Sequence, residues 1–377
     1  MAPRSVTADG LYVGAACTGD ARGIAVALVE AGGPRPQVRV FETIPLAAEL
    51  GQRLAALTRG NVSLEELAAV DLRLGELFGD AIASVLAKQH TAGATLRGIG
   101  LERFVLRRLQ ADGAALVACG AAAPVALRFT CPVVSDFAAA DMAAGGAGAP
   151  LASVFLRDFF ARTGKGIAVH EINAAASVTY IDPIGGCPLA FDTGPGTGLV
   201  DLLARKHFGK PGDADGTLAA QGQVNAPFLE ELLHDDYFER VPPKTAGERF
   251  GDVFAKRFEK RAKWWGLTNE DRLATATALT ARTMAEAYRR FVIPHGRVDE
   301  VVLCGPGARS AFLRVRLAED LNGIKLSRSD EHGLDFEAVT SSNAAYLAFR
   351  RLSGLFGNLP HATGARREVI LGAVLHP

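Results

Sequence analysis

Apolar and polar positions along this chain follow two different periods, and the changes between them mark out its elements. From Leu11 to Gly32, LYVGAACTGDARGIAVALVEAG reads as two short apolar strands around a small-residue turn at Cys17 to Gly23. PQVRVFETIPL offers a third, with Val38, Val40 and Ile44 alternating. From 62 to 89 the period lengthens to that of a helix, opening on a Ser63-x-x-Glu66 capping pattern. Short apolar runs fill 95 to 135: LRGIG, FVLRRL, AALVAC, PVALRF and CPVVSDF. After Asp141, AAGGAGAPLASVFLRDFFARTG passes from a glycine-rich loop into an amphipathic helix, with Leu151, Val154, Phe155, Phe159 and Phe160 on one side. The pattern then restarts. IAVHEI, SVTYID and LAFD are three closely spaced strands, followed by a helix, LVDLLARKHFG. Residues 225 to 291 are mainly helical, with APFLEELLHDDYFER as one segment and NEDRLATATALTARTMAEAYRRFV as a long one N-capped by Asn269. A strand at Val301 to Cys304, a Gly-Pro-Gly turn, two further helices and a last strand in EVILGAV close the chain.

Strands in meandering threes, each group followed by a helix, occur twice. That recurrence predicts an α/β protein of two actin-like (ribonuclease-H-like) domains around a central nucleotide cleft. The first domain is expected to span 1–138 and to be completed by 350–377; the second takes 139–349. At 377 residues the chain exceeds what one hydrophobic core usually organises, which agrees with two domains.

Composition narrows the function classes. Hydrophobic residues at 49% and charged residues at 22% set disorder aside as the default. With 41 basic and 41 acidic residues, no global field favours nucleic acid or an anionic membrane, so any anionic ligand must be held by local geometry. RFEKRAKWWG, for all its cations and tryptophans, therefore reads as a helix with Trp264 and Trp265 on the core or on a dimer surface. The cysteines (Cys17, Cys119, Cys131, Cys187, Cys304) are odd in number and form no C-x-x-C, which argues against a disulfide framework and a zinc site; no metal-ligand set is identified. No apolar run suits a signal peptide or a membrane span, and the expected home is a reducing cytosol.

The candidate chemistry lies in FDTGPGTGLVD, residues 191 to 201. Asp192 ahead of Thr-Gly-Pro-Gly can be the first residue of an Asx-turn, or a carboxylate held at a phosphate-sized loop. The residues around it favour neither alone. VVSDFAAADMAAGGAGAPL (Val133 to Leu151), DGTLAAQGQVN, PPKTAGERF, ATATALTAR, LCGPGARS and TGARREVILGAVLHP accompany it along the chain. In that order these segments resemble the motifs of the anhydro-N-acetylmuramic acid kinases, sugar kinases of the hexokinase and actin-like superfamily. The resemblance spans nearly the whole chain.

That resemblance implies a fold, a reaction and a set of residues. Asp192 takes the place of the family's general base, which removes a proton from the water that opens a 1,6-anhydro ring while the γ-phosphoryl of ATP passes to the sugar's O6. ATP and Mg²⁺ are the implied cofactors, a small sugar or anhydrosugar the partner, and a homodimer the assembly. Nucleotide contacts map to Thr18, Gly19, Asp20 and Gly23, to Asn173 and Ser177, to Gly194, Gly196 and Thr197, and to Gly305 and Gly307. Sugar contacts map to Asp136, Asp141, Gly146 and Gly148.

The departures are as informative. The family's first phosphate loop aligns with Ala16 to Ala25, where Asp20 stands for a serine and Arg22 for an acid. Its substrate motif S-H-G-Q-T aligns with Leu101-Glu102-Arg103-Phe104-Val105, with nothing kept. Its second phosphate loop, N-I-G-G-x-S-N, aligns with Glu171 to Ser177 and has lost both glycines. The arginine of D-F-R is Ala138, and Pro306 interrupts the adenosine loop. Fixed charges at Asp20 and Glu171 would repel a polyanion. Two functions therefore stay open: an ATP-dependent sugar kinase with an altered substrate, and a kinase-fold protein that binds or regulates without phosphoryl transfer.

Overall fold

The computed structural model describes residues 9–58, 63–89, 96–109, 115–162, 164–186, 188–247 and 249–377. Cys187, one of the five cysteines, and Glu248 of the TAGERF segment fall outside them.

The first three runs form an antiparallel meander, β1 (Gly10–Cys17), β2 (Gly23–Ala31) and β3 (Gln37–Pro45). β4 (Leu96–Glu102) adds parallel to β1. A separate hairpin, β5 (Phe104–Leu109) with β6 (Ala115–Cys119), follows, and β7 (Val133–Ser135) then adds parallel to β4. The second sheet repeats the scheme. β8 (Ile167–Ile172), β9 (Ala175–Ile181) and β10 (Leu189–Pro195) meander antiparallel, and β11 (Glu300–Cys304) and β12 (Lys325–Arg328) add parallel on the β8 side. The C-terminal strand β13 (Ala373–Leu375) returns to pair with β7. Both sheets thus run in the order third, second, first, fourth, fifth strand, the first with β13 added. This is the actin-like, ribonuclease-H-like unit, present twice.

Contacts divide the chain into two compact units, one reaching to Phe159 and including Glu337–Pro377, the other Phe160–Phe336. The divisions fall later and earlier than the expected 138 and 349 because the Val339–Leu352 helix belongs wholly to the first sheet. Its small residues meet backbone there: a Cβ on Gly14 would come 1.8 Å from the carbonyl of Ser341, and one on Gly100 1.9 Å from that of Ala344. Tyr346 and Arg350 of the same helix bond Asp158 at 2.7 and 3.2 Å, drawing the Ser153–Phe160 helix into the first unit. On the sheet's other face, Val13, Ile24 and Val26 pack on Val70, Leu74, Phe78 and Ile82 of the Leu64–Lys88 helix. Each such buried side chain contributes about 1.5–3 kcal/mol. That helix starts as expected, with the Ser63 hydroxyl accepting from the Glu66 N–H at 3.1 Å.

In the second unit the even residues of β8 and β9 (Ala168, Ile172, Ala176, Val178, Tyr180) pack with Phe191 and Leu303 against the Asn269–Ala287 and Ala311–Leu321 helices. Strand alternation leaves Glu171, Ser177, Asp192 and Cys304 on the opposite face. Two details differ from expectation, and one apolar run that carried no element type gains one. The long helix is capped by Thr268 rather than Asn269, because Thr268 and Asp271 exchange both bonds of a capping box. The 225–239 segment breaks into Ala226–Leu233 and Asp236–Glu239, with Asp235 capping the second. The run PVALRF is part of a helix, Ala123–Arg128. No described helix is long and apolar enough to cross a membrane.

Candidate functional site

β10 is the edge strand of the second sheet, and Lys244–Ala246 runs along its open side. Asp192 sits inside this strand, opposite Ser177, rather than at a turn. Its N–H donates to the carbonyl of Lys244 at 3.0 Å, and its own carbonyl accepts from the Tyr237 hydroxyl at 2.7 Å. The residue is 9% exposed, and its Oδ2 accepts from the Thr245 hydroxyl at 2.9 Å and from the Ala246 N–H at 2.8 Å. A carboxyl gripped through backbone and side chain at once has little rotamer freedom left. The reading of Asp192 as the opening of an Asx-turn does not survive this placement.

The register places Asp192 opposite Ser177, Ser177 opposite Glu171, and Glu171 opposite Cys304, giving one row of side chains across the sheet. Burial pushes the half-buried Glu171 carboxyl up to about 7; the Asn173 amide that bonds it opposes this, and the neighbouring Asp192 adds to it. Glu171 is therefore not the fixed negative charge that its place in a phosphate loop suggested. On the other face His170 is fully buried and held near 3 by burial, a neutral ring between the Tyr288 hydroxyl (3.1 Å) and that of Thr193 (3.0 Å).

The predicted loops of the second unit converge. The N–H groups of Gly196 and Gly198 donate to the Ala174 carbonyl at 3.0 and 3.1 Å, and that of Thr197 donates to the Asn173 carbonyl at 2.7 Å. A Cβ on Gly196 would lie 2.0 Å from the Asn173 carbonyl oxygen, so this glycine lets the turn after Gly194 close on the β8–β9 turn. The Gly305 N–H donates to the Phe336 carbonyl at 2.6 Å, and Gly307 packs on Ile172 and Thr197. Asn173, Ser177, Gly194, Gly196, Thr197, Gly305 and Gly307 thus gather at one end of the sheet with Asp192 and Glu171. The amides of Gly196, Thr197 and Gly305, expected to face phosphate, are instead engaged with backbone carbonyls.

In the first unit β1, β4 and β7 run parallel, so their C-terminal ends share one edge. The Thr18–Gly23 turn there satisfies itself. The Thr18 hydroxyl donates to Asp20 Oδ1 (2.7 Å) and accepts from the Arg22 and Gly23 amides (3.1 and 3.0 Å), while Asp20 also accepts from Arg22 N–H (3.1 Å). Gly19 has nothing near its α-carbon that a side chain would meet. Burial, with Cys119 nearby, pushes the Cys17 thiol up to about 12, which removes it as a reactive nucleophile.

At the same edge Asp136 adopts a left-handed conformation (φ 57°) ahead of the Phe137–Ala143 helix. Arg103 binds it at 2.9 Å and also binds Asp71 (3.1 Å) and the Ala118 carbonyl (2.7 Å). Arg103, which stood only as a departure from S-H-G-Q-T, thereby gives Asp136 a guanidinium although Ala138 replaces the arginine of D-F-R. No local pattern announced it, since its carboxylate partners lie 32 and 33 residues away.

Asp141 takes a different role from the one expected. It is 0% exposed; Oδ2 accepts from the Gly148 N–H at 2.8 Å, and Oδ1 accepts from Asn358 and from the Thr363 hydroxyl, both at 2.7 Å. The Ala147 N–H donates to the Thr363 carbonyl at 2.8 Å. Asp141, Gly146 and Gly148 therefore join the glycine-rich loop to the C-terminal segment, and Asp141 is too enclosed to meet a sugar. In the Asp252–Trp264 helix Arg257 pairs with Asp235 and Arg261 with Glu231, so these cations of RFEKRAKWWG serve the fold.

Two meander-plus-parallel sheets, the second bearing a clamped carboxyl on its third strand, define a protein of the actin-like class. The sequence model of the anhydro-N-acetylmuramic acid kinase family matches residues 10–377, so the chain belongs to that family. It is 35% identical over 381 residues to an anhydro-N-acetylmuramic acid kinase of Xanthomonas campestris pv. campestris (strain 8004), covering 99% of each chain. To the enzyme of that name from Gloeobacter violaceus it is 37% identical over 368 residues, covering 93% of this chain and 94% of the other. To that of Caldanaerobacter subterraneus subsp. tengcongensis it is 32% identical over 386 residues, covering 97% and 96%.

Proposed function

We propose that this protein is an ATP-dependent kinase of an anhydro-N-acetylmuramic-acid-type sugar. The clamp on Asp192 is the observation that carries the reading. Asp192 takes a proton from water, the water oxygen bonds the anomeric carbon, the bond from that carbon to O6 breaks, and O6 receives the γ-phosphoryl group as ADP leaves. Such a step asks the protein mainly for position and a base. The described residues gather no group of three His, Cys, Asp or Glu that could cage a metal. Magnesium typically keeps several waters and is bound largely through the substrate's own phosphates, so the lack of such a cage is no obstacle to it. When bound, it would neutralise charge developing on the transferred group. Asp136, 39% exposed in its side chain and oriented by Arg103, is the carboxylate we assign to the sugar hydroxyls in place of Asp141.

The direct test measures ADP release and the 6-phosphosugar with Mg·ATP and the anhydrosugar. Nucleotide at 100 times its Kd should also add about 2.7 kcal/mol of stability. Absence of both the phosphorylated product and the stability gain would overturn the reading.

Glu171 gives the reading a pH signature. Below about 7 its carboxyl is protonated and can donate to a phosphate oxygen; above that it ionises and repels the nucleotide. A bound polyanion raises the folded pKa further, so binding takes up a proton. Affinity for Mg·ATP is expected to fall above neutrality by up to about tenfold per pH unit. Glu171→Gln should flatten that dependence and bind more tightly than the parent at pH 8, as calorimetry across pH would read.

A further inference from the structure

Behind β10, on the side away from the Asp192 carboxyl, the second unit holds an open cavity of about 410 Å³, the size of a small-molecule site. Phe238, Phe291, Ala287 and Leu233 supply apolar wall, and Thr193, Thr283 and Lys244 supply polar atoms. Lys244 is 7% exposed. Its ammonium lies over the rings of Tyr237 (4.8 Å), Phe291 (5.0 Å) and Phe191 (5.8 Å), with one long bond to the Tyr237 carbonyl at 3.4 Å.

The charges around the cavity are already matched, with this exception. Glu239 is held by Arg290 at 3.0 and 2.9 Å; Glu286 by Arg282 and Arg289 at 3.6 and 3.5 Å; Glu230 by Arg282 at 3.5 Å. His234 bonds the Glu230 carbonyl. Among the described residues Lys244 has no carboxylate in an ion pair, and it is buried where an uncompensated charge is costly. Its surroundings show that cost. Burial and Arg290 bring the amine down to about 8, with Arg240 adding, while Glu239 and Asp192 oppose.

We propose that this cavity binds a small organic anion, a ring-sized apolar body carrying a carboxylate or a phosphate monoester, with the anionic group on Lys244 Nζ. The site adjoins the clamp on Asp192. The carbonyl of Lys244 receives the Asp192 N–H, the next two residues hold its Oδ2, and Tyr237 touches both the ammonium and the Asp192 carbonyl. An anion that draws the ammonium off Tyr237 therefore acts on the clamp directly.

The binding does not rest on the kinase reading, and its test uses no nucleotide or sugar. Phenyl phosphate and phenylacetate, as separate probes, are titrated calorimetrically into the full chain at pH 7 and pH 9, either side of the amine's transition near 8. At least one probe is expected to bind at pH 7 and to lose most of its affinity at pH 9, and the preferred probe tells phosphate from carboxylate. Lys244→Met should abolish binding. Ala287→Phe, which fills the cavity and leaves the lysine, should abolish it as well and covers the case in which Lys244→Met does not fold. Saturation should alter amide hydrogen exchange at Asp192 and Ala246. Undetectable binding of both probes at millimolar concentration, or binding that survives Ala287→Phe, overturns the site; unchanged exchange with the cavity filled overturns its link to Asp192.

Discussion

Asp192→Asn is expected to lower ADP release and phosphosugar formation by about a thousandfold, within the 10²–10⁴ range that a positioned general base contributes. The substitution is isosteric. An Asn carbonyl oxygen can take the place of Oδ2 and accept from Thr245 and Ala246, and the backbone bonds to Lys244 and Tyr237 do not involve the side chain. The folded state should therefore persist, with a melting temperature within a few degrees of the parent and a Kd for Mg·ATP largely unchanged. What disappears is a group able to accept the proton of the attacking water. A kcat that falls while nucleotide affinity holds is the signature of an interaction made only in the transition state. Asp192→Ala would be a poorer probe, because it also leaves the Thr245 hydroxyl and the Ala246 amide without their acceptor. Retention of full activity by Asp192→Asn would remove Asp192 from the chemistry.

What was legible in the sequence was what local patterns encode. Alternation gave both meanders, and helical spacing with Ser63 and Glu66 gave the Leu64–Lys88 helix to within a few residues. The FDTGPG stretch announced a tight turn and an acid, and both are there. What local pattern could not carry was partnership across the chain. Arg103 stands in the sequence only as a departure from S-H-G-Q-T until folding brings Asp71 and Asp136 to it. Lys244 is only one letter of PPKTAGERF until Tyr237, Phe191 and Phe291 close round it. Glu171 reads as a charge set against phosphate, yet burial beside Asp192 makes it a carboxyl that is partly neutral near pH 7. The glycine-rich turns misled for a related reason. Glycine permits close approach without saying to what, and at Gly196 the approaching group is the β8–β9 turn rather than an anion.

Asp141 turns the same lesson into an expected loss of stability. Asp141→Ala should destabilise the first unit by on the order of 4 kcal/mol, since it strands three donors (Gly148 N–H, Asn358 Nδ2 and the Thr363 hydroxyl), each costing about 1–3 kcal/mol when buried without an acceptor. Against a typical total of about 5–15 kcal/mol, that is a large fraction. The change should appear as a lower urea midpoint and as faster proteolysis within 358–369, because the Asn358 and Thr363 bonds tie that segment to the glycine-rich loop. Thr363→Val, which removes one of the three bonds, should cost only about 1 kcal/mol. A residue that contacted the sugar would behave in the opposite way: Asp141→Ala would raise KM for the sugar and leave the urea midpoint in place. Asp136→Asn supplies the comparison, since its side chain is partly exposed and its loss should act on the sugar's KM more than on stability. A normal urea midpoint for Asp141→Ala together with a raised KM would return Asp141 to the sugar site.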